Sequence, residues 1–364
     1  MINRALRYLL LPLLLPLLLL PYQAHAEPYL AVQTGFKCGQ CHVNPTGGGE
    51  RTVFGNIFAQ TQLAANHLDT GSDVWTGEIN RFLSIGGDLR AQFAYTTQPH
   101  TSSTDAFGVE QGRVYASANV IPQRLYVYVD EQVAPTSINR EAYGVYWSKN
   151  HDWYVKAGQM YLPFGFRLQD QSALVQQITG INMTTPDQGV EFGLERGHWD
   201  AQLAISNGTA SGPVVSHSKQ YSAQLIYVEN FWRVGLAANN NSQTAGNKNA
   251  GGLFGGLRTG PISWLGQVDI TDDKSLPAKS GRQLATLLEA DWRIAQGHNL
   301  KLTHEYEDPN RSVPNDGQTR YSIVYEMTPI QYVQIRTGFR YSDGIPQNSL
   351  EHLKIAFVEL HGFF

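Results

Sequence analysis

Cys38 and Cys41 are the only cysteines in the 364 residues, and His42 follows the second directly. This run brings two thiols and one imidazole together over a short stretch. Such a set suits a covalent c-type haem. The thiols add to the two vinyl groups as thioethers, and the next residue places an imidazole under the iron. Two other chemistries use a Cys-x-x-Cys pair. A redox dithiol wants a thioredoxin-like βαβ context, and none surrounds these residues. A zinc site needs about four ligands, and no further cysteine exists. The sequence therefore predicts one covalent haem c on Cys38 and Cys41, with His42 as the proximal iron ligand.

The second axial ligand is open at this point. His67 is the nearest downstream histidine, and Met160, Met183 and Met327 are the only methionines beyond the first residue. Met183 lies in the longest loop-like stretch and can reach inward. Met327 alternates with polar residues and falls on an apolar face. His67 and Met183 are thus the candidates, beside an iron left open or water-bound. A Met/His pair would raise the potential.

The segment around the motif, residues 27–74, is small. Asn44-Pro45 and Gly47-Gly48-Gly49 predict a turn. Phe54-Gly55-Asn56-Ile57-Phe58 opens a short helix-like piece through about Ala65. With Phe36 and Val43 it can cover a haem face or plug an opening. A core of fewer than ~40–60 residues is marginal by itself, so the rest of the chain must complete a haem pocket.

Residues 1–26 read as an export signal. Arg4 and Arg7 precede the apolar run Leu9–Leu20, and Ala24-His25-Ala26 fits a small-x-small cleavage site. The run is short for a spanning helix and holds two prolines. Haem attachment to this motif normally occurs in the periplasm, so signal and motif agree.

From Arg81 onward the pattern is period two. Tyr321, Ile323, Tyr325 and Met327 alternate with Arg320, Ser322, Val324 and Glu326. Val333, Ile335, Phe339 and Tyr341 alternate with Gln334, Arg336, Gly338 and Arg340. Successive strand residues point to opposite faces, so one face meets an apolar medium and the other carries charge. Charged residues make up only 16% of the chain, below the ~25% of soluble domains. A net charge of −4 gives no case for nucleic acid. The spacing predicts about 16 strands, from 81–96 to 349–364, with short turns alternating with long loops. That rhythm, with an even strand count, belongs to transmembrane antiparallel β-barrels of the bacterial outer membrane, whose short turns are periplasmic. Six of the seven tryptophans sit beside the short turns, as expected for an interfacial belt. The final Phe364 resembles the C-terminal signal of such barrels. An even barrel puts both mature chain ends on the periplasmic side. The expected organisation is therefore a signal at 1–26, a mono-haem cytochrome segment at 27–74 at or in the periplasmic mouth, and a barrel at 75–364.

The third long loop, 161–186, is longer than the ~12–15 residues beyond which loops are usually functional or disordered. It has the ordinal place of the inward-folding porin loop. Arg167 and Asp170 can line a constriction there, and the alternative is a loop packed over the rim.

The lead-in to the cysteine motif reads Gln33-Thr34-Gly35, ahead of Cys38, Cys41 and His42, and Phe54-Gly55-x-x-Phe58 comes after. This pattern resembles the fused monohaem cytochrome c–porins, which include outer-membrane iron oxidases. The piece Gly158–Arg167 is similar to a recurrent porin segment. Motif-level similarity covers about 30 of the residues. One departure stands out: an Asn-Pro turn replaces the family's Phe-Pro, and a Gly triplet lengthens the connector before Phe-Gly. The resemblance implies electron transfer across the outer membrane between an extracellular donor or acceptor, such as Fe(II), and a periplasmic c-type cytochrome. An Fe(II):cytochrome c oxidoreductase activity is one form of it. Luminal Arg320, Glu326, Arg336 and Arg340 would tune the haem potential. The alternative is a solute-transporting porin whose haem-bearing plug is structural or sensory. A haem enzyme acting on a small periplasmic molecule is a third reading.

Overall fold

The computed structural model describes residues 27–69, 71, 74–208, 218–242, 246–274, 276, 281–345 and 351–364. The predicted export signal lies outside the described residues. Sixteen long strands between Leu83 and Phe363 follow one another as antiparallel neighbours. The first, Leu83–Thr97, pairs with the last, Lys354–Phe363, so the sheet closes into a barrel. A three-residue strand, Glu78–Asn80, adds to the first. Closure removes sheet edges, which a hydrocarbon layer cannot hydrate.

Outward and inward faces follow the alternation. In Gln318–Ile330, Tyr321, Ile323 and Tyr325 face outward, while Arg320, Val324 and Glu326 are buried in the lumen. Met327 is on the outward register, as expected. In Ile262–Asp273, Trp264, Val268 and Ile270 face out, while Leu265, Gln267, Asp269 and Thr271 face in. Trp153, Trp199, Trp264 and Trp292 form an outer belt near the short turns. Trp147 departs from the expectation: it is buried, with its ring 4.7 Å from that of Tyr154.

The N-terminal segment lies inside the lumen. Helix α1 (Pro28–Thr34) packs on the strands Lys248–Thr259 and Ile262–Asp273. Arg233 donates to the carbonyls of Ala31 and Phe36, and Arg258 to that of Gln33 at 2.7 Å. On the nearby strands His298–Asp308 and Gln318–Ile330, Lys301 bonds Glu27 at 2.7 Å and Glu326 accepts from Tyr29 at 3.3 Å. Helix α2 (Cys38–Cys41) and helix α3 (Val53–Phe58) follow, and α3 runs on as a π-turn, Ala59–Leu63. The segment then meets the short-turn rim, where the amide of Ala65 donates to Thr328 at 2.8 Å.

The loop 161–186 turns into the lumen and not over the rim. Its helix α4 (Leu174–Thr179) packs on Ile262–Asp273, Arg282–Ala295 and His298–Asp308. The Phe166 amide donates to Gln267 at 2.9 Å, and the Leu174 amide to Glu305 at 2.9 Å. One apolar cluster joins the three parts: Leu30 and Val32 from α1, Phe164, Phe166 and Val175 from the loop, and Phe254, Leu265 and Leu287 from the wall. The lumen is therefore filled by protein from both chain regions.

Candidate luminal site

Local hydrogen bonds fix the turn that carries the cysteines. Gln40 Oε1 accepts from the Lys37 amide at 2.9 Å, and the His42 amide closes on Cys38 at 3.0 Å. Thr52 then clasps the turn: its amide donates to Cys41 O at 3.0 Å and its hydroxyl to Gln40 O at 2.9 Å. The same hydroxyl caps α3 by accepting from Gly55 N at 3.1 Å. A Cβ at Gly55 would collide with the Cys41 carbonyl. The Phe-Gly-x-x-Phe pattern thus has a packing reason: glycine lets α3 rest on the cysteine turn.

Cys38, Cys41 and His42 line one hollow of about 100 Å³, together with Phe36, Phe164, Phe166 and Phe254. His42 also lines a neighbouring hollow of about 160 Å³ with Gly48, Arg51, Arg167, Met183 and His361. The wall residues of both hollows lie in the half of the barrel next to the short turns. Gly47, Gly48 and Gly49 run between them with φ of 91°, 78° and 69°. Three successive left-handed residues are open only to glycine. A Cβ on Gly47 would come within 3.2 Å of Cys38 Cβ, and one on Gly48 would sit 3.7 Å from Met183 Sδ. The glycines that lengthen the connector therefore bring backbone close to the cysteine turn and the loop at once. Arg167 Nη1 locks the contact by donating to Gly47 O at 2.7 Å.

Both cysteines are free of disulfide. Burial pushes the Cys41 thiol up to about 11, with the neighbouring Cys38 adding to it, and burial raises Cys38 too. A redox dithiol needs the opposite, a low-pKa thiolate. Among the described residues no cluster of three or more His, Cys, Asp or Glu side chains is arranged to hold a metal ion.

The remaining sequence candidates separate clearly. Met183 lines the hollow that His42 lines. His67 is exposed at the short-turn rim, beside Leu68, whose amide donates to Gln331 at 2.9 Å, and it lines neither hollow. Met160 is fully buried in a separate cluster with Tyr128, Tyr143 and Tyr154. Phe36 lines the cysteine hollow and its ring meets Phe54 at 5.5 Å. Val43 instead packs on that separate tyrosine cluster. Sequence reading missed His361. It faces inward on the last strand and is buried, with Nδ1 3.1 Å from Gln334 Oε1. The alternation of Val358 and Leu360 with Glu359 and His361 was the available signal.

Charged residues hold the plug and loop to the wall. Asp170 lies 2.9 Å from Arg340 and 3.2 Å from Arg320. Burial works against its charge, but those two guanidinium groups hold its carboxyl well below the usual carboxylate range. Arg336 bridges Glu326 at 3.1 Å and Glu359 at 2.9 Å. Asn44, in the Asn-Pro turn, donates to both oxygens of Glu141 at 3.0 and 2.8 Å, and the Tyr161 amide shares that carboxylate at 3.0 Å. One wall residue therefore ties plug and loop together. Glu50 accepts from Ser117 at 3.0 Å, and burial pushes its carboxyl up to about 7.

No family model matches the chain, and no curated protein does. Solved structures do. The anion-selective porin from Comamonas acidovorans aligns at 10% identity with a TM-score of 0.61, over 78% of this chain and 99% of that one. The outer membrane channel DcaP of Acinetobacter baumannii aligns at 13% identity and 0.59, over 83% and 100%. OprB of Pseudomonas putida aligns at 9% identity and 0.62, over 78% and 94%. At such identities the likeness concerns the fold alone, and the fold of this chain is the closed sixteen-stranded barrel of outer-membrane porins.

Proposed function

We propose that the barrel carries one covalent haem c in its lumen and passes electrons between the outer face of the membrane and periplasmic c-type cytochromes. The observation that carries this reading is the shared hollow of Cys38, Cys41 and His42, walled by Phe36, Phe164, Phe166 and Phe254. Two free thiols and an imidazole open onto one apolar space, and the Gly47 backbone packs against Cys38. These residues fit the group: Cys38 and Cys41 would hold it as thioethers and His42 would bind the iron. A haem there would supply one-electron Fe(III)/Fe(II) chemistry. The chain's own part is to enclose it. Plug, inward loop and wall exclude bulk water, and α2 fixes the spacing of the donors. With the short turns periplasmic, both ends face the periplasm and the haem lies in that half, close to a soluble acceptor. The outer partner, such as Fe(II), then acts through the inward loop.

Purified protein from cells with c-type haem maturation should carry haem that survives denaturation. Cys41→Ser should weaken its attachment and His42→Ala should alter its spectrum. Anaerobic stopped-flow mixing with Fe(II) tests the donor. Reduction by dithionite but not by Fe(II) would remove the iron-oxidase form and leave the conduit.

A second reading, a solute porin with a haem-bearing plug, draws on the fold shared with an anion-selective porin and other outer-membrane channels. Liposome conductance separates the two. Ion flux through the intact protein at porin-like rates favours transport, and a tight bilayer favours conduction.

A further inference from the structure

His361 has a buried ring with one nitrogen engaged and the other not. Its Nδ1 lies 3.1 Å from Gln334 Oε1, so the amide oxygen accepts from Nδ1–H and the lone pair is left on Nε2. Nε2 is buried and finds no hydrogen-bond partner among the described residues. A buried polar atom in that state bears its full desolvation cost unless something engages it. The ring lines the second of the two adjoining hollows that His42 borders, while the cysteines line the first. The two are linked through Arg51, whose backbone bridges that of His42 and whose guanidinium lies 4.7 Å from the Phe363 ring. Phe363 is in turn 5.2 Å from His361, ring to ring.

We infer that His361 Nε2 would be the second protein ligand of the haem iron, with His42 the first. This rests on the haem reading above. Metal-bound imidazoles usually donate their other nitrogen to an oxygen acceptor, which fixes tautomer and direction, and Gln334 stands in that place. Met183 lines the hollow too, but a thioether has no polar demand left unmet, and it sits on a loop. His361 sits on a strand held on both sides, paired with Gln334 and with Arg90, which suits a ligand of fixed position.

The test uses the full-length holoprotein. A pyridine haemochrome assay first establishes covalent haem. Its absence removes the haem reading, and this assignment with it. With haem present, the ferric protein should be low-spin with a bis-histidine near-infrared magnetic circular dichroism signature. His361→Ala should become high-spin, and added imidazole should return it to low-spin. His361→Met should stay low-spin with a raised potential, because a Met/His pair raises it. Met183→Leu should leave the spectrum unchanged. Unaltered low-spin haem in His361→Ala, or its loss in Met183→Leu, overturns the assignment while the haem reading stands. Unheated gel mobility confirms that each variant is a folded barrel.

Discussion

Two polar side chains of the plug face the wall with unequal partners, and each predicts a different response. Asn44 satisfies both oxygens of Glu141. Asn44→Ala leaves that buried carboxylate with the Tyr161 amide alone. Losing a partner of a buried group costs about 1–3 kcal/mol. Limited proteolysis should therefore cleave the plug faster in this variant, while heat-modifiable gel mobility of the barrel stays as in the parent. Glu50 acts through protonation. Its docked carboxyl titrates at about 7 because of burial, against about 4.3 when free. Between these values the docked plug holds a proton that the undocked plug has released. Docking is therefore strongest below that window, weakens as pH rises through it, and is level above it. Glu50→Gln should abolish the slope. Hydrogen exchange of the plug amides at about pH 5 and about pH 8, corrected for intrinsic rates, reads it directly. Equal protection at both in the parent protein would show that Glu50 is not the group involved.

At the scale of elements, the first half of the inward loop is held in two ways. Arg167 donates to the plug carbonyl of Gly47, and the Tyr161 amide shares the wall carboxylate of Glu141 with the plug's Asn44. Near Asp170 the loop is bonded to Arg320 and Arg340 of the wall, with Ser172 accepting from Arg320 at 2.8 Å. The acid resistance of Asp170 follows from those two cations, so this latch persists in mildly acidic medium. Asp170→Asn removes the charge and keeps the shape. The buried Arg320 and the half-buried Arg340 are then left with a neutral amide between them, and Glu305 remains to Arg320. The loop should loosen, and planar-bilayer recordings should show brief openings that the parent lacks. A quiet trace from Asp170→Asn would mean that apolar contacts of Phe164, Phe166 and Val175 hold the loop without the latch.

For the molecule as a whole, the outside was legible and the inside only in part. Lipid demands apolar side chains on one face of every strand, so Tyr321, Ile323 and Tyr325 show a clear period of two, and the turn rhythm gives the strand number. The inside carries charge where charges pair, as at Glu326 and Arg336, or where plug and loop supply polar partners, as at Arg233 and Glu141. Where α1 and the loop press on the wall, the inward residues are Ala250, Phe254, Leu265 and Leu287. There both faces are apolar, and alternation cannot announce that the lumen is occupied. His361 was hidden for a related reason, since its neighbours are set by closure of the last strand onto the first. The filled lumen gives the last prediction. Deleting residues 28–64 removes α1, α2 and α3 but leaves every barrel strand and the inward loop. Water should then reach the apolar wall at Phe254 and Leu265, and bilayer conductance should rise from near zero to a stable level. The loop still crosses the lumen on its bonds to Gln267 and Glu305, so that level should rise further when Asp170→Asn is added. If the deletion conducts no more than the intact chain, the loop alone seals the barrel and the plug serves only to hold its cysteines in place.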